Sequence, residues 1–195
     1  AGSLGIPVER RPPRDLERLA GRDASHQGVV ALLAGTDERD PEEVLKSARS
    51  PALFVVLDGV EDPRNLGAVI RSAAAAGADG LFLPEHRAAP LSAASLKASA
   101  GTALRFPVVR VGNVVSFLKR LKEGGIWVAG LDVEGQPIWG GFDLTLPLAL
   151  VIGVEGKGLR RLAKEHCDVL LSIPLSQEVP SLNLAVAAGV ALFET

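Results

Sequence analysis

Four stretches of this sequence place polar side chains beside glycine or proline directly at the end of an apolar run: 58–73 (DGVEDPRNLGAVIRSA), 129–135 (AGLDVEG), 151–159 (VIGVEGKGL) and 172–183 (SIPLSQEVPSLN). Within them, Asn65 precedes Arg71 by six positions, Glu155 stands among Gly153, Gly156 and Gly158, and Ser181 and Asn183 open an apolar stretch. Asn65 and Ser181 have the chemistry of helix N-caps. Glu155 follows a buried run, where a carboxylate must find a partner or water. Glycine-rich loops suggest phosphate or nucleotide binding, but neither common fingerprint is met. A P-loop needs Ser or Thr after its Gly-Lys, and Gly156-Lys157 is followed by Gly158; a dinucleotide fingerprint needs GxGxxG after the first strand, and the glycines here run GxxGxG late in the chain. His26, His86, His166 and Cys167 lack metal-ligand spacing, so no metal is assigned.

The elements that must position these residues alternate in type. Leu53–Leu57, Leu81–Leu83, Val108–Val111, Ile126–Leu131, Leu148–Ile152 and Val169–Ile173 read as short strands, several apolar throughout, as in sheets covered on both faces. Between and after them, Asn65–Ala76, Leu91–Ala100, Val114–Lys122, Leu159–Glu165 and Ser181–Phe193 read as helices, with Gly77, Gly101 and Gly124 closing the first three. Strands alternating with helices predict an α/β fold, a parallel sheet flanked by helices. In such sheets ligands bind at the carboxyl ends of the strands, where the four stretches lie.

The first 50 residues differ in character. Glu9–Arg22 is charged around a double proline, His26–Leu33 reads as a short strand, and Thr36–Glu43 is a charge run before a helix over Glu42–Ala48. A boundary near Ser50 therefore separates residues 1–50 from a domain over 51–195. The chain has 195 residues, 47% hydrophobic and 23% charged, with a formal net charge of −2. That balance suits a globular protein and not a wholesale nucleic-acid binder, though a local basic patch is compatible with it. Lys157, Arg160, Arg161 and Lys164 form one candidate patch, and Arg10, Arg11, Arg14 and Arg18 a second. Without Tyr, and with two Trp and six Phe, base stacking is a poor basis for recognition. The single cysteine, Cys167, excludes an internal disulfide and suits a buried apolar position. No apolar run reaches membrane-spanning length and the first residues lack a signal-peptide core, so the expected location is the cytoplasm.

Three segments in order carry a resemblance: Asn65-Leu-Gly-Ala-Val-Ile-Arg71, Leu150-Val-Ile-Gly-Val-Glu155-Gly-Lys-Gly-Leu159, and Ile173 through Ser181-Leu-Asn183-Leu-Ala-Val-Ala-Ala. Together they resemble the SpoU (TrmH-like) branch of the SPOUT RNA methyltransferases, from about Leu53 to the C-terminus. Gly5-Ile-Pro-Val and His26-Gln-Gly-Val-Val resemble the end of the small RNA-recognition domain of the ribosomal-RNA members, most of which would lie outside this sequence. The chain departs from the family pattern at Gln177, usually Gly, at Leu175, usually Met, at Val154, usually smaller or polar, and at Leu184-Ala185 after Asn183.

The resemblance implies a C-terminal deep trefoil knot holding S-adenosylmethionine. Gly130, Gly153, Ile173 and Leu182 would line the site, with Leu131, Ile152 and Leu175 beside them. It implies RNA 2′-O-ribose methylation, with a guanosine of 23S rRNA as the expected target. A transfer-RNA guanosine, or a non-catalytic RNA-binding role, are the alternatives; retention of Asn65, Arg71, Glu155, Ser181 and Asn183 favours catalysis. It points to Arg71 as the base. An arginine is charged at ordinary pH and is a poor base as it stands, so an electrostatic role on the target phosphate and developing oxyanion is the more conservative assignment. Glu155 is expected to orient Arg71 or Asn65, and Ser181 and Asn183 to position substrate or loop. The resemblance further implies a homodimer. The last helix is apolar on two faces, one with Leu182, Val186, Gly189 and Phe193, the other with Leu184, Ala187, Ala188 and Ala191. The small residues of the second face suit close approach to a partner helix.

Overall fold

The apolar runs form the strands. The computed structural model describes residues 5–21, 26–32, 39–176 and 178–195. Two compact units divide the chain, Ala1–Thr36 and Asp37–Thr195. In the first, α1 (Pro13–Ala20) follows the double proline and buries no residue. Residues 26–32 hold a turn in place of the expected strand, with Gln27 and Gly28 both at positive φ and the Gly28 amide donating to His26 Nδ1. Of the four arginines here, Arg11 pairs with Glu9 and Arg18 with Asp15.

The second unit is built on six strands: β1 (Leu53–Leu57), β2 (Gly80–Pro84), β3 (Val108–Val111), β4 (Trp127–Pro137), β5 (Leu148–Ile152) and β6 (Val169–Ser172). They form one parallel sheet in the order β3-β2-β1-β5-β4-β6. Alternate residues feed two cores. Val55, Leu57, Leu81, Leu83, Leu150 and Ile152 pack with α3 (Pro63–Ala76) and α7 (Leu184–Leu192). Phe54, Val56, Phe82, Val109, Val111 and Val151 pack on the other face with α2 (Pro41–Lys46), α5 (Val114–Glu123) and α6 (Arg161–Glu165). Phe82 anchors this second core, edge-on to Phe54 at 5.6 Å and 4.4 Å from Phe117. The helix α4 (Ala93–Ala98) and a short 3-10 turn, Thr102–Leu104, complete the first face. Val44 of α2 is 4% exposed within the second core, so chain that packs with the sheet begins before Ser50.

Three differences from the sequence reading bear on the site. The helix α3 starts at Pro63 with Asp62 as its cap, accepting from the Arg64 amide; Asn65 lies inside the first turn. Proline at the first helical position with a preceding aspartate outcompetes a later asparagine cap. The helix α7 is capped by Asn183, not Ser181. Strand β4 continues past Leu131: residues 132–135 leave the ladder, and Gln136 and Pro137 rejoin it opposite Leu171 and Ser172 of β6.

Candidate active site

At the carboxyl ends of β4, β5 and β6 a cavity of about 360 Å³ opens, a size ordinary for a small-molecule site. Leu131, Ile152, Gly153, Ile173, Leu175 and Leu182 all line it. Gly130 does not. A side chain there would meet Cys167 Sγ and Leu159 Cδ1, both at 2.7 Å, so this glycine serves the packing beneath the cavity. Gly153 has a stricter role, because a Cβ would fall 2.0 Å from the carbonyl carbon of Gly158. The loop 154–158 folds back on itself there: Val154 donates to the Gly158 carbonyl at 3.0 Å and receives the Gly158 amide at 2.9 Å. Gly156 and Gly158 take positive φ to make that return.

The tight loop carries Glu155 to the cavity wall, where it meets two amides from distant elements. Asn65 Nδ2 donates to Glu155 Oε2 at 2.7 Å, and Asn183 Nδ2 donates to Glu155 Oε1 at 2.8 Å and to Asn65 Oδ1 at 3.1 Å. The other end of Asn183 caps α7, its Oδ1 accepting from the amides of Ala185 at 2.9 Å and Val186 at 3.4 Å. One asparagine thus ties the last helix to the first helix and to the glycine loop. Glu155 is bonded to Asn65 and Asn183, and among the described residues it makes no bond to Arg71.

Arg71 is exposed, and among the described residues its guanidinium has no hydrogen-bond or ion-pair partner. It does not line the cavity. Six residues of helix separate it from Asn65 by about 9 Å along the axis and about 120° around it, so the two face different directions. Ser181 lines the cavity and makes no side-chain hydrogen bond among the described residues. Gln177 lies outside the described residues.

Sequence reasoning missed the charged part of the site. Asp58, 1% exposed at the end of β1, accepts from Arg160 three times: from its backbone amide and Nε, each at 2.8 Å, and from Nη2. Arg160 Nη2 also reaches the Asp58 carbonyl at 3.0 Å. This clamp fixes the end of the glycine loop to the neighbouring strand, and the bond to Asp58 holds the Arg160 guanidinium above its ordinary pKa. At the cavity wall Lys164 sits between Glu134 at 2.6 Å and Asp132 at 2.9 Å, which raise its ammonium pKa, Glu134 first. Lys157 pairs with Glu61 at 3.7 Å and Arg161 with Glu165 at 2.5 Å. Each of the four cations from 157 to 164 therefore has a carboxylate partner, which a charge count along the chain does not reveal. Burial, reinforced by Asp168, pushes the Cys167 thiol up to about 12. Among the described residues no group of three or more His, Cys, Asp or Glu side chains is placed to hold a metal.

An all-parallel sheet with a largely apolar cavity and a bonded amide–carboxylate cluster at its carboxyl edge defines an α/β protein built to hold a small organic ligand. A model of the SpoU rRNA methylase family matches residues 52–193, and the chain belongs to that family. It is 43% identical over 197 residues to an uncharacterised tRNA/rRNA methyltransferase of Mycobacterium sp. (strain KMS), covering 100% of this chain and 62% of that protein. It is 44% identical over 193 residues to the 23S rRNA (guanosine-2′-O-)-methyltransferase RlmB of Xylella fastidiosa (strain 9a5c), covering 97% of this chain and 77% of that protein. The crystal structure of the SpoU methyltransferase AviRb from Streptomyces viridochromogenes, in complex with AdoMet, superposes with a TM-score of 0.73 at 34% identity, over 81% of this chain and 64% of that one. The chain thus spans under two thirds of the length of the mycobacterial and Streptomyces relatives.

Proposed function

We propose that this chain is an S-adenosylmethionine-dependent RNA 2′-O-ribose methyltransferase acting on a guanosine of 23S rRNA. The observation that carries the reading is the Asn65–Glu155–Asn183 network at the wall of the β4–β6 cavity, joining the three segments that resemble the family. The 44% identity to an RlmB supports the guanosine target over a transfer-RNA one. No helix among the described residues is long and apolar enough to cross a membrane, in keeping with a cytoplasmic enzyme.

The cavity fits the methyl donor on its own evidence. Its wall combines apolar side chains with the tight glycine loop, whose return leaves no space for a Cβ at Gly153. Leu131, Ile152, Gly153, Ile173, Leu175 and Leu182 would hold it, and when bound it supplies an electrophilic methyl group. The protein's part is alignment, charge and exclusion of water. Glu155, held at both oxygens by amides, keeps the glycine loop and the start of α7 in one geometry. Arg71, with no carboxylate partner among the described residues, is available to a target phosphate and to charge developing on the 2′-oxygen. Ser181 offers a hydroxyl at the cavity wall.

The chain beyond β6 is read as passing through the loop 132–147 to form a trefoil knot. The support is that β6 pairs with β4 on both sides of the 132–135 excursion, after which α7 returns to pack against α3 and β5. A homodimer completes the reading. Arg71 is not among the residues that line its own chain's cavity, in keeping with service to the partner's. The small face of α7 is spent within the chain, since Leu184, Ala188 and Ala191 are buried. The face left open is Val186, Val190 and Phe193, at 51%, 37% and 66% exposure. Labelled methyl donor incubated separately with ribosomal and transfer RNA tests the function. Label in 23S rRNA supports it; label in transfer RNA alone moves the target, and label in neither, with S-adenosylhomocysteine still bound, favours a non-catalytic relative.

A further inference from the structure

The molecule has a second large cleft, on the sheet face opposite α3 and α7, at the carboxyl ends of β1, β2 and β3. It measures about 560 Å³, and Arg87, Arg160 and Arg161 line it together with His86, Asn113 and Asp58. Both oxygens of Asp58 are taken by Arg160, so within the lining Arg87 and Arg161 face no further acid, the partner of Arg161, Glu165, lying outside it. The start of α5, a ten-residue helix capped by Asn113, adds backbone dipole of the same sign.

Arg87 is presented on a built loop. Arg110, from β3, reaches under it to the carbonyls of Glu85 and Ala89, each at 3.3 Å. Val60 and Ala88 form a bridge, with the Val60 amide donating to the Arg87 carbonyl at 3.2 Å and the Ala89 amide to the Val60 carbonyl at 2.7 Å. These bonds hold Arg87 at φ +66°, an uncommon conformation for a residue with a long side chain. Its side chain is exposed and, among the described residues, has no hydrogen-bond or ion-pair partner. Among the described residues Arg161 pairs only with Glu165, one turn away and half-exposed, a kind of pair weak enough to exchange for a phosphate. The exposed Glu85 stands beside Gly112, a lining residue of the cleft.

We propose that this cleft binds the phosphodiester backbone of the RNA substrate, with Arg87 and Arg161 as its contacts, as a second anchor distinct from the methyl-transfer cavity. The inference rests on the RNA reading above. A polymer fits better than a free nucleotide because the two arginines stand on separate elements, as suits successive phosphates, and His86 is the single aromatic ring in the lining. The segment 153–163 borders both cavities, the glycine loop on one side and α6 on the other. A strand held in the second cleft is thereby tied to the chain that shapes the first.

The test is RNA binding without methyl donor, by fluorescence anisotropy of a labelled 23S rRNA fragment over a salt series. The variants are Arg87→Gly, which suits the left-handed backbone, Arg161→Gln, their double, and Arg87→Lys, which keeps the charge. The double variant should bind about tenfold more weakly at ~0.1 M salt, with a log–log salt slope shallower by about one to two. Arg87→Lys should retain most of the affinity, and S-adenosylhomocysteine affinity and melting temperature should not move in either single variant. Wild-type affinity and slope in the double variant would overturn the inference while leaving the RNA reading intact. Failure of the wild-type chain to bind RNA would instead strike that reading. Arginine-dependent binding of inorganic phosphate or pyrophosphate, with RNA affinity unchanged, would assign the cleft to a small free anion and overturn the backbone proposal. Should the double variant fold poorly, the two single variants decide the matter, each with half the slope change expected and an unchanged slope in both overturning the proposal.

Discussion

Removing either partner of the Asp58–Arg160 clamp should destabilise the protein, and the two removals should not cost the same. Arg160→Ala leaves a carboxylate that is 1% exposed with one remaining partner, the backbone amide of residue 160. Breaking a buried pair from that side costs about 3–5 kcal/mol. Asp58→Ala leaves a guanidinium whose side chain is 43% exposed and can turn to water. What stays behind is chiefly the orphaned amide of Arg160, worth about 2 kcal/mol. At roughly 2–4 °C per kcal/mol for a chain of this size, Asp58→Ala should melt about 4–8 °C lower and Arg160→Ala about 6–20 °C lower. Asp58→Asn, which keeps an acceptor for the amide, should fall nearest to wild type. Thermal and urea unfolding of the three variants and the double alanine variant would provide the measurement. Equal losses for the two alanine variants, or shifts within a degree of wild type, would refute the argument that the buried carboxylate sets the cost.

Three further outcomes follow from the geometry. Gly153→Ala should abolish S-adenosylhomocysteine binding by calorimetry, because its Cβ would sit 2.0 Å from the Gly158 carbonyl carbon and force the glycine loop outward. Cys167 should stay a thiol and resist alkylation at pH 8 until the chain is unfolded. Its pKa is raised to about 12, so the stability linked to it is present below the ordinary thiol value and is lost only as pH rises from about 9 through about 12, as a urea series across that range would report. Val190→Glu, on the open face of α7, should lower the mass seen by light scattering from dimer to monomer and depress activity; a dimer of unchanged mass would remove α7 from the interface.

How far the sequence foretells this structure depends on the range of the forces involved. Strands β1 and β5 end where their apolar runs end, since a strand buried on both faces has no polar residue to blur its edge. The start of α3 is easily misplaced because Asn65 is a good cap in isolation, whereas Asp62-Pro63 three residues earlier is a better one. The full length of β4 is hidden because its last residues are held by β6, not by their own apolarity. Asn65, Glu155 and Asn183 come together in the sequence only through motif resemblance. Their contact spans up to 118 residues, and local pattern alone could not join them. The clamp between Asp58 and Arg160 spans 102 residues and belongs to none of the three motifs as a pair, so nothing local announces it. The basic run 157–164 misleads for the complementary reason: its carboxylate partners lie partly on other elements, and a linear charge count records cations without what faces them.

The most direct test of the central claim is where the methyl group goes. Wild-type protein and Arg71→Ala would be incubated with labelled methyl donor and 23S rRNA, and the RNA digested with alkali, which cleaves only where a 2′-hydroxyl is free. Wild-type protein should place label in a single alkali-resistant dinucleotide beginning with guanosine. Arg71→Ala should lose the label with S-adenosylhomocysteine binding preserved. Label released as a methylated base in mononucleotides, or an Arg71→Ala protein as active as wild type, would contradict the central claim.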